Sequence, residues 1–258
     1  MSYTDLILER DGEVAVLTLN RPAKRNSLSL HLMEEVLGAL AEVGADPAVG
    51  ALVIRGAGPA FCAGHDLGEM TGRDLPAYRR IFETCTRMMD AVQALPQPVI
   101  AQVHGIATAA GCQLVATCDL AVAEEGARFA TPGVKIGLFC STPMVPLTRA
   151  VGRKKALEML LTGEYLDAHE ARAFGLVNKV VSPAALADET LALARKVAAA
   201  SPLVLGLGKQ AFYAQADQPQ PQAYAYAKEV MSLNALAADA QEGICAFLEK
   251  RKPAWKGR

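Results

Sequence analysis

A charge excess of either sign is missing from this sequence: 26 Lys and Arg stand against 27 Asp and Glu in 258 residues, a formal net charge of −1. Such a balance gives no electrostatic argument for nucleic acid or an anionic membrane, so neither partner is expected. Charge is also missing locally. The 28 residues from Ala91 to Cys118 contain no Asp, Glu, Lys or Arg. A membrane span fails there because Gln93, Pro96, Gln97, Pro98, Gln102, His104, Gly105 and Gln113 interrupt every window of about 18 residues. The run is expected to be buried core or the lining of something uncharged. Cysteine is sparse and scattered (Cys62, Cys85, Cys112, Cys118, Cys140, Cys245), with no CxxC pair and no zinc spacing, so no metal site is expected. The thiols read as reduced, in a cytoplasmic protein. The opening MSYTDLILERDGE shows no secretory or transit pattern. A GxSxG elbow, a GxxxxGK[ST] loop and an HExxH helix are all lacking.

What is present has the grammar of an α/β fold. Leu6–Leu8 and Val14–Leu19 flank Asp11-Gly12, a hairpin signal. Ser29 is placed to cap a helix to about Val43, with Leu32, Val36, Leu40 and Val43 on one face. Ala51–Arg55 reads as a buried strand, Leu75–Leu95 as a helix stopped by Pro96 and Pro98, and Val99–Val103 and Leu120–Ala123 as strands. From Pro143 onward the periods are helical, as over Pro183–Ala199, Gln220–Ala237 and Ala240–Lys250; only Leu176–Val181 looks extended. The chain is expected to divide into a β-rich core, residues 1–200, and a helical region, residues 201–258.

Two segments put small residues just after a strand: Phe61-Cys-Ala-Gly-His-Asp66 and Ala107-Thr-Ala-Ala-Gly111. Small residues let a ligand approach the backbone. The second segment opens a helix, whose first N–H groups are unpaired and partly positive. Two such groups converging on one point would stabilise an oxyanion; tight turns and close helix packing would need the same residues. Cys62 and His65 are three apart, a spacing open either to a thiol nucleophile or to a buried cysteine beside a positioning histidine.

Ala60-Phe-Cys-Ala-Gly-His-Asp-Leu67, Pro98-Val-Ile-Ala-Gln-Val-His-Gly105 and Gly111-Cys-Gln-Leu-Val-Ala-Thr-Cys-Asp-Leu120 together resemble the crotonase (enoyl-CoA hydratase/isomerase) superfamily. Asn20-Arg-Pro22, Leu161-Thr-Gly163 and Ala246-Phe-Leu-Glu-Lys-Arg-Lys252 extend the resemblance over nearly the whole chain. Thr108-Ala-Ala-Gly-Cys-Gln113 and Phe129-Ala-Thr-Pro-Gly133 resemble one subgroup, the enoyl-CoA hydratase domain-containing protein 3 type. The resemblance implies a spiral of ββα units with two nearly perpendicular sheets, and C-terminal helices that assemble a homotrimer or a dimer of trimers and cover the active site. It implies an acyl-CoA thioester as ligand, with no cofactor beyond that CoA. The thioester oxygen would sit between the N–H groups of His65 and Ala110. Ala63, Gly64, Asp66, Leu67 and Gly111 would line the ligand, with Lys24, Arg25 and the Lys250–Lys252 region near the CoA nucleotide.

Family hydratases use two glutamates, one to activate water and one to handle the proton at Cα. Their positions here are Gln113 and Gly133. Glutamine has no proton to exchange near neutral pH, and glycine has no side chain. Each lost general acid–base group costs about 10²–10⁴-fold in rate. The expectation is therefore a different enolate-type reaction, with Cys140 a candidate participant. The alternatives are a genuine enoyl-CoA hydratase of fatty acid metabolism and a non-catalytic acyl-CoA sensor or scaffold.

Overall fold

A computed structural model describes residues 3–258. The hairpin forms as expected: β1 (Leu6–Asp11) and β2 (Val14–Leu19) pair antiparallel across Gly12, whose φ of 61° suits glycine. All of β2 is buried, because β3 (Ala51–Gly56) joins its other edge in parallel. β4 (Val99–Val103), β6 (Leu120–Glu124) and β9 (Lys179–Val181) complete a six-stranded sheet in the order β1-β2-β3-β4-β6-β9. Its parallel part needs crossovers, and helices supply them on the faces. α1 (Leu30–Ala45) starts at Ser29, whose hydroxyl accepts from Leu32 N–H at 3.1 Å, and buries the four face residues expected of it. α2 (Leu75–Ala94) starts at Asp74 and buries Ile81, Cys85, Met88, Met89 and Val92.

A second sheet, which the resemblance implies, is built of three strands too short for a residue pattern to mark them. β5 (Ile106–Thr108), β7 (Arg128–Ala130) and β8 (Leu166–Asp167) run in the order β5-β7-β8. Ala107 and Thr108, the start of the second small-residue segment, lie within β5, which pairs with β7 and carries the chain into α3 (Ala110–Thr117). The charge-free run thus supplies β4, β5 and α3, and most of it is buried.

The remainder is helical: α4 (Met144–Val151), α5 (Arg153–Thr162), α6 (Ala168–Ala173), α7 (Leu186–Ala198), α8 (Pro202–Ala216), α9 (Gln220–Ala235) and α10 (Ala238–Leu248). The expected helix from Pro183 is a 3₁₀ turn, Pro183–Ala185, leading into α7. α8 is tied to the core by a buried cation. Lys209 Nζ lies 2.7 Å from Asp119 and donates to the carbonyls of Val92 and Gln97, and Tyr213 and Val99 N–H also donate to Asp119. Among the described residues, no single helix is long and apolar enough to cross a membrane.

Candidate active site

The two small-residue segments are stitched together. Cys62 N–H donates to the Ile106 carbonyl at 3.1 Å, and Thr108 N–H donates to the Cys62 carbonyl at 3.0 Å. The contact is too close for side chains. A Cβ on Gly111 would overlap the Cys62 carbonyl, and one on Gly64 would stand 2.8 Å from Ala109 Cβ and 3.3 Å from Ala110 N. Glycine is required at both positions, and at Gly64 also by a φ of 93°.

This stitching leaves two backbone donors unpaired. Leu28 pairs with the first loop through Leu28 N–H to Gly64 O and Asp66 N–H to Leu28 O, leaving the His65 N–H outside the bridge. Ala110 is the first residue of α3, so its N–H lies outside the helical ladder. Neither N–H has a hydrogen-bond partner among the described residues. Ala109, just before it, has φ 50° and ψ −118°, a conformation alanine rarely adopts. Backbone strain of this kind costs about 1–3 kcal/mol and is typical of functional sites.

Ala110 and His65 line one cavity of about 550 Å³. Leu67, Met70, Phe82, Ile136, Leu138 and Phe139 make its wall mostly apolar. Of the residues expected at the site, the cavity collects Ala63, His65, Leu67, Ala110, Gly133 and Cys140. Gln113 is buried in the first turn of α3 but is not part of the wall, and its Oε1 has no partner among the described residues. Asp66 does not face the ligand space. Its carboxylate is paired with Arg21 at 3.0 Å and accepts from Gly68 N–H, so its role is to brace the first loop. Lys24 and Arg25 are exposed and flank that loop, with Ala63 N–H donating to the Arg25 carbonyl. Arg251 is held by Glu242 and Glu249.

The side chains give two corrections to a nucleophilic Cys–His reading. Burial pushes the Cys62 thiol up to about 12, and neither ring nitrogen of His65 has a partner among the described residues. Burial pulls the His65 imidazole down to about 4, opposed by the backbone of Leu28, so the ring is neutral at pH 7. Its edge-on neighbour is Phe82, 5.6 Å between ring centroids. Burial also raises Cys140, against the effect of the Gly133 backbone, which disfavours a thiolate. Gly133 itself is closed off: a Cβ there would overlap the Leu138 carbonyl and lie 2.8 Å from Cys140 Sγ. Phe82 and Met70 were not found from sequence, because an apolar residue on a helix face reads as core.

A family model described as Enoyl-CoA hydratase/isomerase matches residues 9–258. The chain is 49% identical over 252 residues to the mitochondrial enoyl-CoA hydratase domain-containing protein 3 of Danio rerio, covering 96% of this chain and 86% of that one. It superposes on a crystal structure of an enoyl-CoA hydratase from Mycobacterium smegmatis with a TM-score of 0.95 and 50% identity, covering 98% and 99% of the two chains. Human enoyl-CoA hydratase domain-containing protein 3 gives a TM-score of 0.95 at 45% identity, covering 98% and 100%. These bear out the resemblance in both fold and subgroup. They overturn the cytoplasmic expectation, since the relatives from Danio rerio, Xenopus laevis and Homo sapiens are all named as mitochondrial. Scattered reduced thiols do not separate one reducing compartment from another. With its fold, its paired loops and nearly its whole length matched, the chain belongs to the enoyl-CoA hydratase/isomerase family.

Proposed function

We propose that the protein binds an acyl-CoA in the apolar cavity and polarises its thioester carbonyl with the N–H groups of His65 and Ala110, without the pair of carboxylates that hydration uses. The observation that carries this is at Gly133. The place a side chain would need is filled by the Leu138 carbonyl and Cys140 sulfur, so the second glutamate is replaced by backbone and not merely deleted. What remains is enolate stabilisation, worth about 3–4 kcal/mol for one donor. It suits reactions whose enolate forms without a protein carboxylate, the simplest being loss of CO₂ from a malonyl-type thioester. Lys24 and Arg25 stand exposed beside the first loop, as cations suited to the CoA phosphates.

In this reading residues 201–258 serve assembly and cover the site, as a homotrimer or dimer of trimers. Support comes from apolar side chains left in solvent on α8–α10 and the turn joining α9 to α10, among them Phe212, Met231, Leu236 and Phe247. The test incubates the protein with a broad acyl-CoA panel and follows products by mass spectrometry, with crotonyl-CoA hydration measured alongside. Turnover or saturable binding of acyl-CoA with negligible hydration supports the proposal. Hydration of crotonyl-CoA at ordinary enzyme rates, in a preparation free of host hydratase, overturns it.

A further inference from the structure

The site has lost its carboxylates but not every proton acceptor. Three ionisable side chains line the cavity: Lys135, Cys140 and His65. Lys135 is engaged by Glu164 at 2.7 Å, and the Cys140 thiol is disfavoured as a base by burial. His65 is different. Its imidazole leaves the same Cα whose backbone N–H faces the oxyanion position. Both ring nitrogens are buried without a partner among the described residues, and the ring's recorded aromatic neighbour, Phe82, is another cavity residue. A buried, unsatisfied polar atom costs about 1–3 kcal/mol. Here a donor and an acceptor, the two nitrogens of a neutral imidazole, are both left unsatisfied.

Resting on the reading of the site given above, we propose that the His65 imidazole is the catalytic base of this chain, removing a proton from Cα of the bound acyl-CoA. The ring nitrogens lie below the cavity surface, so contact requires the ring to turn about its Cβ–Cγ bond. That torsion is soft, and neither ring nitrogen has a geometrically formed hydrogen bond to break; the attraction of the Leu28 backbone is what the turn gives up. The proton passes to the lone pair of the unprotonated nitrogen. The C–H electron pair becomes the Cα–C double bond, and the carbonyl π pair moves onto the thioester oxygen, held by the His65 and Ala110 N–H groups. Reversal returns a proton to Cα. No oxidant, reductant or second substrate enters. Depressed as it is, the imidazole is about as basic as the carboxylate it would replace.

The experiment uses butyryl-CoA and octanoyl-CoA, which have no double bond to hydrate, in D₂O. Mass spectrometry follows deuterium entering at Cα, and calorimetry measures binding. The expected result is enzyme-dependent exchange in the wild-type chain. In His65→Gln, which keeps the backbone N–H, exchange falls by about a hundredfold or more while affinity stays within about threefold. His65→Leu, with no polar atom, behaves the same way and serves if the glutamine variant does not fold. Exchange in either folded variant at the wild-type rate overturns the inference. So does wild-type binding without exchange, which leaves the reading of the site standing. Failure of both esters to bind removes that reading, and this inference with it.

Discussion

The Leu138 carbonyl oxygen occupies the space that a Cβ on Gly133 would need. A glycine at this position is therefore enforced by packing, and glutamate cannot be restored there without displacing the 138–140 segment. Gly133→Ala is expected to lose about 1–3 kcal/mol, as overpacked sites do. Denaturant melts will show it as a lower midpoint at unchanged slope. The double variant Gln113→Glu/Gly133→Glu is expected not to hydrate crotonyl-CoA. A double variant that melts like the wild type and hydrates would show that the segment yields freely.

Gly64 is the second enforced glycine, and it sits where the two small-residue segments touch. Gly64→Ala adds a methyl against Ala109 and forces alanine to φ 93°. A residue held in such a conformation costs about 1–3 kcal/mol. Stability is expected to fall by that order. Acyl-CoA affinity is expected to fall further than stability accounts for, because the His65 and Ala110 donors would be pushed apart. Calorimetric titration with butyryl-CoA at a temperature where the variant is fully folded separates the two effects. Unchanged affinity would detach the loop contact from ligand binding.

These two glycines show where the sequence was readable and where it was not. Strands long enough to show a pattern, such as Val14–Leu19, and helices with a clear cap, such as the one begun by Ser29, are legible because local chemistry decides them. Three-residue strands such as Ile106–Thr108 exist only because a partner strand pairs with them, so no periodicity marks them. At the site, both small-residue loops stood out. That they touch, and that Gly64 is the point of contact, depends on packing between segments far apart in the chain. The reason for Gly133 lies in a carbonyl five residues on, which no residue type announces.

Lys209 anchors α8 through a fully engaged buried ammonium, bonded to Asp119 and to two carbonyls, Val92 near the end of α2 and Gln97 just before β4. Removing one partner of a buried pair costs about 3–5 kcal/mol, chiefly because the other charge is left unpaired. Lys209→Met is expected to lose stability of that order. Adding Asp119→Asn should recover part of it by neutralising the orphan. Melts of the two single variants and the double variant measure the coupling. Simple additivity would mean that the pair is not an energetic unit.

The His65 imidazole links stability to pH. Its folded-state value, about 4, lies below the ordinary imidazole value of 6.5, so the unfolded chain binds that proton more tightly. The contribution is fully present above pH 6.5 and is lost as pH falls from there toward 4. Below that both states are protonated and the loss stops. A depression of this size corresponds to about 3 kcal/mol across the window. Carboxylates add their own dependence on the acid side, so the comparison is with His65→Leu, which lacks the titrating group. Between pH 7 and pH 4 the urea midpoints of the two proteins should not run parallel, the wild type losing about 3 kcal/mol more than the variant. Parallel curves would mean that the ring already meets water or a partner in solution. The unpartnered nitrogens that make it available to a substrate would then not be a property of the resting site.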